Sequence, residues 1–327
     1  MIVVSLFLIL LFSFLLVKAT DILVIHLKRL ADSTRLGEFA ITSLILALAT
    51  SLPELFVGIS AAVEGSPTLS LGNVIGSNIA NLSLVIGGAA IIGGTVFVEG
   101  AFLKKDIFYA FLAGAAPMIL LIDRALSRID GLILLVLYGF YSVSALSSRV
   151  KEVAEERGEE EVFLKKIIRR LSHGFSTKRL KDVAWIFLGA ALLLFSSDML
   201  VRTAISLAGS LKLPVLLIGL VLVSLGTSLP ELVFEIKAIK EKKPKMAFGD
   251  LLGSIVANST LVIGITSLIA PFRIRSFADY LLATIAYVSV FGLFYMFIRT
   301  KKKLERWEGA FLLGFYLAVV FFEFAHT

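Results

Sequence analysis

Two glutamates stand where carboxylates are hardest to keep. Glu54 and Glu231 each close a Thr-Ser-Leu-Pro-Glu pentapeptide, one inside the apolar run 38–63 and the other inside 213–236. A carboxylate at bilayer depth costs a few kcal/mol on insertion scales, so such a group normally faces a cavity, an ion path or a charge partner. Neither repeat core offers a Lys or Arg, which leaves a bound cation as the cheapest partner. Pro53 and Pro230 each remove one backbone N–H and predict a helix break one turn earlier, freeing carbonyls near Ala47 and Ser224. Unwound carbonyls at membrane depth are tolerated where they line a cavity or meet an ion. Thr50, Ser51, Thr227 and Ser228 add hydroxyl oxygens beside each break.

The next apolar segment of each repeat adds amides and hydroxyls. Asn73, Ser77 and Asn81 recur at i, i+4 and i+8, so a helix presents them on one face, with Gly72 and Gly76 allowing close backbone approach. Asp250, Ser254 and Asn258 repeat the pattern, flanked by Gly249 and Gly253. The candidate ligand set is carboxylate, hydroxyl, amide and carbonyl oxygen, with no thiolate or imidazole. That set suits hard cations such as Ca²⁺, Mg²⁺ and Na⁺. Two carboxylates balance one divalent ion or two or more monovalent ions in the same place, and mutual exclusion of that kind is what an antiporter needs. A channel would want a continuous pore with rings of equivalent ligands.

The elements that must position these residues are membrane helices. Of 327 residues, 58% are apolar and 17% charged, against about 45–50% and about 25% in soluble domains. With no Cys and three His, a disulfide framework, a zinc finger and a thiol nucleophile are excluded. Runs long enough to cross a bilayer fall at 2–27, 38–63, 69–96, 103–122, 130–148, 183–209, 213–236, 247–270, 277–298 and 307–325. The first lacks a basic n-region and a cleavage site and reads as a retained helix rather than a signal peptide. At an offset of 177, Thr50–Gly87 and Thr227–Gly264 match at 19 of 38 positions without a gap, and Asp21 aligns with Asp198. Five spans per half make the second half enter the membrane in the opposite sense, the inverted repeat of secondary transporters. The expected fold is an all-α membrane protein of ten transmembrane helices in two inverted five-helix repeats, 1–148 and 183–327. A charged linker, 149–182, joins them, and the broken helices surround a midplane ion site. With the N-terminus outside, 25 Lys/Arg fall on cytoplasmic segments and 5 on outer loops. The positive-inside rule therefore puts both termini outside and the linker in the cytoplasm of a multi-pass cell-membrane protein.

At these residues the chain resembles a known family. TSLPE in both halves, followed by GNVIGSNIAN and GDLLGSIVAN, is similar to the two α-repeats of the sodium/calcium exchanger family, within the calcium/cation antiporter superfamily. The resemblance covers both halves and implies ten helices, with the second, third, seventh and eighth broken around a central site. It implies Ca²⁺ and Na⁺ as transported ions and, as ligands, Thr50, Ser51, Glu54, Ser77, Asn81, Thr227, Ser228, Glu231, Ser254 and Asn258, assisted by backbone carbonyls. Many exchangers of that family carry a carboxylate at the position of Asn81 or Asn258. Here both are amides, so the core holds two acidic groups rather than three, which bears on K⁺ co-transport and Na⁺ stoichiometry. The second half gains Glu235, where the first has Gly58, and Asp250, where the first has Asn73. These groups restore charge on the ion path or carry protons; a salt bridge from Glu235 to the Lys237–Lys245 cluster is the competing reading. Ala49 replaces the Gly found at 226.

The first functional expectation is exchange of Ca²⁺ for Na⁺ by alternating access; the alternative is a Ca²⁺/H⁺ or other cation/H⁺ exchanger on the same fold. A receptor or scaffold with structural carboxylates is a third reading. No ATP-binding loop and no nucleophile–base pair occurs, so neither a pump nor an enzyme is expected. No cofactor, nucleic acid or obligate protein partner is expected either, only inorganic cations and the lipid bilayer. Plainer roles fit the remaining polar residues: structural hydrogen bonds to neighbouring helices for Asp21 and Asp198, surface positions for His26 and His173, no evident role for His326, and an interfacial aromatic belt for Trp185 and Trp307. The Glu155–Glu161 and Lys165–Arg170 blocks read as a solvated linker or a surface helix.

Overall fold

A computed structural model describes residues 2–33, 50–97, 102–157, 177–274 and 277–325. Their structure is helical apart from four two-residue strands. In chain order the helices are α1 (Ile2–Ser33), α2 (Leu52–Val63), α3 (Pro67–Gly93), α4 (Phe102–Leu120) and α5 (Arg128–Arg157) in the first half. The second half holds α6 (Thr177–Leu211), α7 (Val215–Thr227), α8 (Leu229–Lys240), α9 (Pro244–Ile269), α10 (Phe277–Lys301) and α11 (Arg306–Ala325). Among the described residues, seven helices are long and apolar enough to cross a membrane, and eight if α7 and α8 count as one bent span. The expected spans at 38–63 and 103–122 correspond to shorter apolar helices, Leu52–Val63 and Ile107–Asp123. Residues 38–49 of the former lie outside the described residues, as does the 158–176 part of the linker, with its Lys165–Arg170 block and His173; His326 also lies outside them.

Burial sorts the helices into core and rim. Within their apolar windows 78% of residues are buried in α3 and α9, against 22% in α1 and 17% in α5. The rim carries Val3, Leu10, Val136 and Phe187, each more than 70% exposed. A helix apolar on every side is either enclosed by protein or bathed in lipid, and these two sets are the two cases. This is an all-α membrane protein.

The sequence repeat recurs as repeated backbone. Leu52–Val63 and Leu229–Lys240 are both 12-residue helices whose first residues lie 177 apart. Each begins after a serine at nearly the same dihedrals, Ser51 at φ −84, ψ 3 and Ser228 at φ −85, ψ 3. Pro53 and Pro230 sit at the tolerated start of their helices, where a missing N–H costs nothing. Both helices end in a turn with a left-handed residue, Gly65 at φ 68 and Lys242 at φ 57. The turns are closed by Ser66 N–H to Ala61 at 2.8 Å and Lys243 N–H to Ala238 at 2.9 Å. α3 and α9 both loosen to a π-helical turn near their middle, Asn81–Val85 and Ala257–Val262.

Four short strands, which hydropathy did not signal, tie the halves together. β1 (Val96–Phe97), after α3, pairs antiparallel with β4 (Lys303–Leu304), before α11. β2 (Ala125–Leu126), before α5, pairs with β3 (Phe272–Arg273), after α9. Each ribbon takes one strand from each half, and the two exchange places under the repeat.

Candidate functional site

The centre is where the start of α2, the α7–α8 break, α3 and α9 converge. α7 and α8 are bent by 43° at Ser228. The break falls two residues before Pro230 rather than a full turn before it. Accordingly the Ser224 carbonyl is not freed as expected: it accepts Ser228 N–H at 3.0 Å, with Thr227 Oγ1 at 3.3 Å. The carbonyl whose partner the proline removes is that of Gly226, four residues upstream of Pro230. Ala47 and Ala49 lie outside the described residues.

Close backbone approach brings the helices together. A Cβ on Gly72 would meet the Leu216 carbonyl oxygen at 2.0 Å, and one on Gly76 would meet that of Leu220 at 2.0 Å. Only glycine lets α3 lie directly on the backbone of α7, which carries Thr227 to the polar face of α3. Eleven of the twelve expected ligands are described, and all are at most 5% exposed.

Their hydroxyl contacts are reciprocal. Thr50 Oγ1 donates to Asp250 Oδ1 at 3.0 Å and lies 3.3 Å from Ser254 Oγ. Thr227 Oγ1 donates to Asn73 Oδ1 at 3.1 Å and lies 3.3 Å from Ser77 Oγ. These are the same two contacts related by the offset of 177, each running from one half into the other. The symmetry fails at the carboxylates. Ser77 Oγ donates to Glu54 Oε1 at 3.3 Å, whereas Glu54 Oε2 and both oxygens of Glu231 have no hydrogen-bond partner among the described residues. Ser51 Oγ, Ser228 Oγ, both side-chain polar atoms of Asn81 and Oδ1 of Asn258 are likewise unsatisfied and buried. A buried carboxylate left without partners carries its full desolvation penalty, which a proton, water or a bound cation would relieve. Among the described residues no three of His, Asp and Glu gather as a metal cluster, so hydroxyl, amide and carbonyl oxygens must complete any coordination shell.

Sequence reasoning passed over Asn78. It is 1% exposed, donates to Ser259 Oγ at 2.7 Å and accepts from Asn258 Nδ2 at 3.4 Å, cross-linking α3 and α9 beside the ligands. Its counterpart is Ile255, and that asymmetry within GSN and GSI was the available signal.

Several peripheral expectations change. Glu235 makes no salt bridge to the lysine cluster; it is fully buried, and both carboxylate oxygens lack a partner among the described residues. Asp21 and Asp198 form ion pairs on their own helices, with Lys18 at 3.7 Å and with Arg202 at 3.0 Å. Each pairs with a cation about one turn away on a partly exposed face; Arg202 also reaches Glu64 of α2 at 2.7 Å. His26 is no surface residue: its Nδ1 lies 2.7 Å from Asp182 and its ring stacks on Trp185 at 5.5 Å, joining α1 to α6.

Comparison with known proteins agrees with this architecture. The family described as sodium/calcium exchanger protein matches residues 4–146 and 181–325. The sodium/calcium exchanger MaX1 of Methanosarcina acetivorans is 27% identical over 97% of this chain and 98% of its own length. The inner membrane protein YrbG of Escherichia coli is 28% identical over 81% of this chain and 79% of its own. A structure of the sodium-calcium exchanger NCX_Mj, soaked with 2.5 mM Na⁺ and 10 mM Sr²⁺, superposes with a TM-score of 0.63 at 26% identity, covering 98% of this chain and 99% of that one. The repeated helix starts at Ser51 and Ser228, the reciprocal hydroxyl contacts and a family match through both halves lead to one conclusion: this chain belongs to the sodium/calcium exchanger family, and is a multi-pass membrane cation exchanger rather than an enzyme.

Proposed function

We propose that the protein exchanges Ca²⁺ for Na⁺ by alternating access, with the ions held between the two repeats, 1–148 and 183–327. Glu54 and Glu231 supply the charge, and Thr50, Ser51, Thr227, Ser228, Ser77, Ser254, Asn81 and Asn258 supply neutral oxygens. The carbonyls of Ala47 and Ser224 complete the set, an ion at Ser224 taking the place of its Thr227 contact. One observation carries the reading: two fully buried glutamates with oxygens unpartnered among the described residues, beside Thr50, Ser254, Thr227 and Ser77, whose hydroxyls bridge the halves. Two negative charges neutralise one Ca²⁺ or two Na⁺, so the occupants compete and neither crosses with the other. The inverted arrangement lets one half rock against the other around a fixed site. The charge bias places both termini outside and the 149–182 linker in the cytoplasm. The names of MaX1 and NCX_Mj, both sodium/calcium exchangers, support the choice of ions.

Vesicles reconstituted with the purified protein test this. ⁴⁵Ca²⁺ uptake is followed under an outward Na⁺ gradient, an outward H⁺ gradient or neither, with E54Q and E231Q as controls. Uptake driven by Na⁺ and lost in both variants is expected. Uptake driven by H⁺ alone would establish the cation/H⁺ alternative, and unchanged uptake in both variants would remove the glutamates from the site.

A further inference from the structure

The two-fold relation also breaks at residue 235. Its counterpart Gly58 is closely packed: a Cβ there would meet Val262 Cγ1 at 2.8 Å, and Ser70 Oγ and Thr266 Oγ1 at 3.0 Å. Ser70 and Thr266 hydrogen-bond each other at 2.9 Å, so the first half fills this place with hydroxyls. The residues corresponding to Ser70 and Thr266 under the repeat are Ala247 and Ala89, and the second half places a glutamate there instead. Glu235 is 0% exposed, and neither carboxylate oxygen has a partner among the described residues. It stands one turn beyond Glu231 on the same face of α8, about 5–6 Å along the helix. Asp250 lies on α9, which packs against α8, and acts on it electrostatically; Asp250 is in turn bonded by Thr50. No cation of the chain pairs with Glu235 among the described residues; Lys243 turns instead to Glu241 at 2.7 Å.

We propose that Glu235 and Asp250 form a second cation subsite, off the two-fold axis and on the 241–243 loop side of the central site, that takes a hard monovalent cation of the Na⁺ class. The ligand set selects the charge. Ca²⁺ takes six to eight oxygens at roughly 2.3–2.6 Å, whereas Glu235, Asp250 and the Thr50 hydroxyl on Asp250 together offer at most five. A monovalent ion sheds its hydration at lower cost and is met by a carboxylate pair with one hydroxyl. The half-built symmetry supports the assignment: the first half has Gly58 and Asn73 at these places and offers no charge, so the subsite exists once per molecule. Glu231 then serves both sites, and an ion at Glu235 lies along α8 from the ion at the centre.

This inference rests on Na⁺ being the coupling ion, and the experiment separates the two claims. Na⁺-driven ⁴⁵Ca²⁺ efflux from vesicles is titrated with Na⁺ for the wild type, E235Q and E235G, the last restoring the first half's residue. ⁴⁵Ca²⁺/Ca²⁺ self-exchange is measured alongside. If the wild type shows no Na⁺-driven flux, the Na⁺/Ca²⁺ reading itself falls. If it does, the expected result is a Na⁺ Hill coefficient lower by about one in both variants, with self-exchange retained. An unchanged Hill coefficient would overturn the subsite, as would loss of self-exchange together with Na⁺ response, which would assign Glu235 to the Ca²⁺ shell. ²²Na⁺ binding to the solubilised variants reports occupancy independently of transport.

Discussion

Replacing Gly76 by alanine tests how the site is held. The added Cβ would stand 2.0 Å from the Leu220 carbonyl oxygen, 2.7 Å from its carbon and 2.7 Å from Ser224 Oγ. A carbon–oxygen contact relaxes at about 3.3 Å, so α3 and α7 must separate by roughly 1.3 Å. The obstacle is backbone, and no rotamer change removes it. Overpacking of this kind costs about 1–3 kcal/mol. The same displacement reaches Thr227, whose hydroxyl sits 3.1 Å from Asn73 and 3.3 Å from Ser77 across that contact. Adding roughly 1.3 Å takes both beyond hydrogen-bonding range, for about 1 kcal/mol each. If half of that total falls on the ion-bound state, apparent Ca²⁺ affinity drops by at least about tenfold, since about 1.4 kcal/mol is one decade. The assay is a Ca²⁺ titration of ⁴⁵Ca²⁺ exchange in vesicles, with thermal unfolding in detergent. Gly292→Ala is the control, because its Cβ meets nothing within 4 Å. Half-saturation and unfolding midpoint equal to those of the control would refute the claim that the glycine contact positions Thr227.

Two further outcomes concern the α8–α9 turn. Lys242 holds φ 57 where its counterpart Gly65 holds φ 68, so Lys242→Gly should relieve about 1 kcal/mol of left-handed strain and raise the unfolding midpoint. A lower midpoint would show that the lysine side chain matters more than its backbone. At the same turn Lys243, through its hydrogen bond and then its charge, holds the Glu241 carboxyl below its ordinary range. A lowered folded-state value stabilises above the ordinary carboxylate pKa, and that contribution disappears as pH falls through the lowered one. Lys243→Gln should return the Glu241 titration to its ordinary range in a carboxyl-resolved NMR experiment, and an unmoved titration would dismiss the pair.

Much of this architecture is written in residue types. The repeat offset matched Thr50 with Thr227 and Ser77 with Ser254, and the structure joins Thr50 to Ser254 and Thr227 to Ser77 across the halves. Glycine spacing announced the α3–α7 approach, because no other residue admits a carbonyl so close. Pro230 marked the second-half break but misplaced it, since a proline at a helix start is harmless and the bend settled on Ser228. The π-turns at Asn81 and Ala257 were illegible because their composition is that of an ordinary apolar helix. The strand pairs were equally hidden, as two residues carry no periodicity. Asn78 and His26 escaped for another reason: their partners, Ser259 and Asp182, are 181 and 156 positions away, and only the packed chain brings them near.

The crossed ribbons have a consequence for what a half of this protein is. β1 pairs with β4, β2 with β3, and each site threonine reaches side chains on the other half's helix. One half alone would therefore leave open strand edges, an empty glycine groove and hydroxyls without their cross-half partners, and would be a component rather than a small exchanger. Two such halves made as separate chains would complete one another only as a pair, at a concentration the bilayer would have to supply. Joining them in one polypeptide fixes that pairing at one to one and makes it independent of expression level. It also frees each copy to drift from its twin, which is how a single Glu235 can exist.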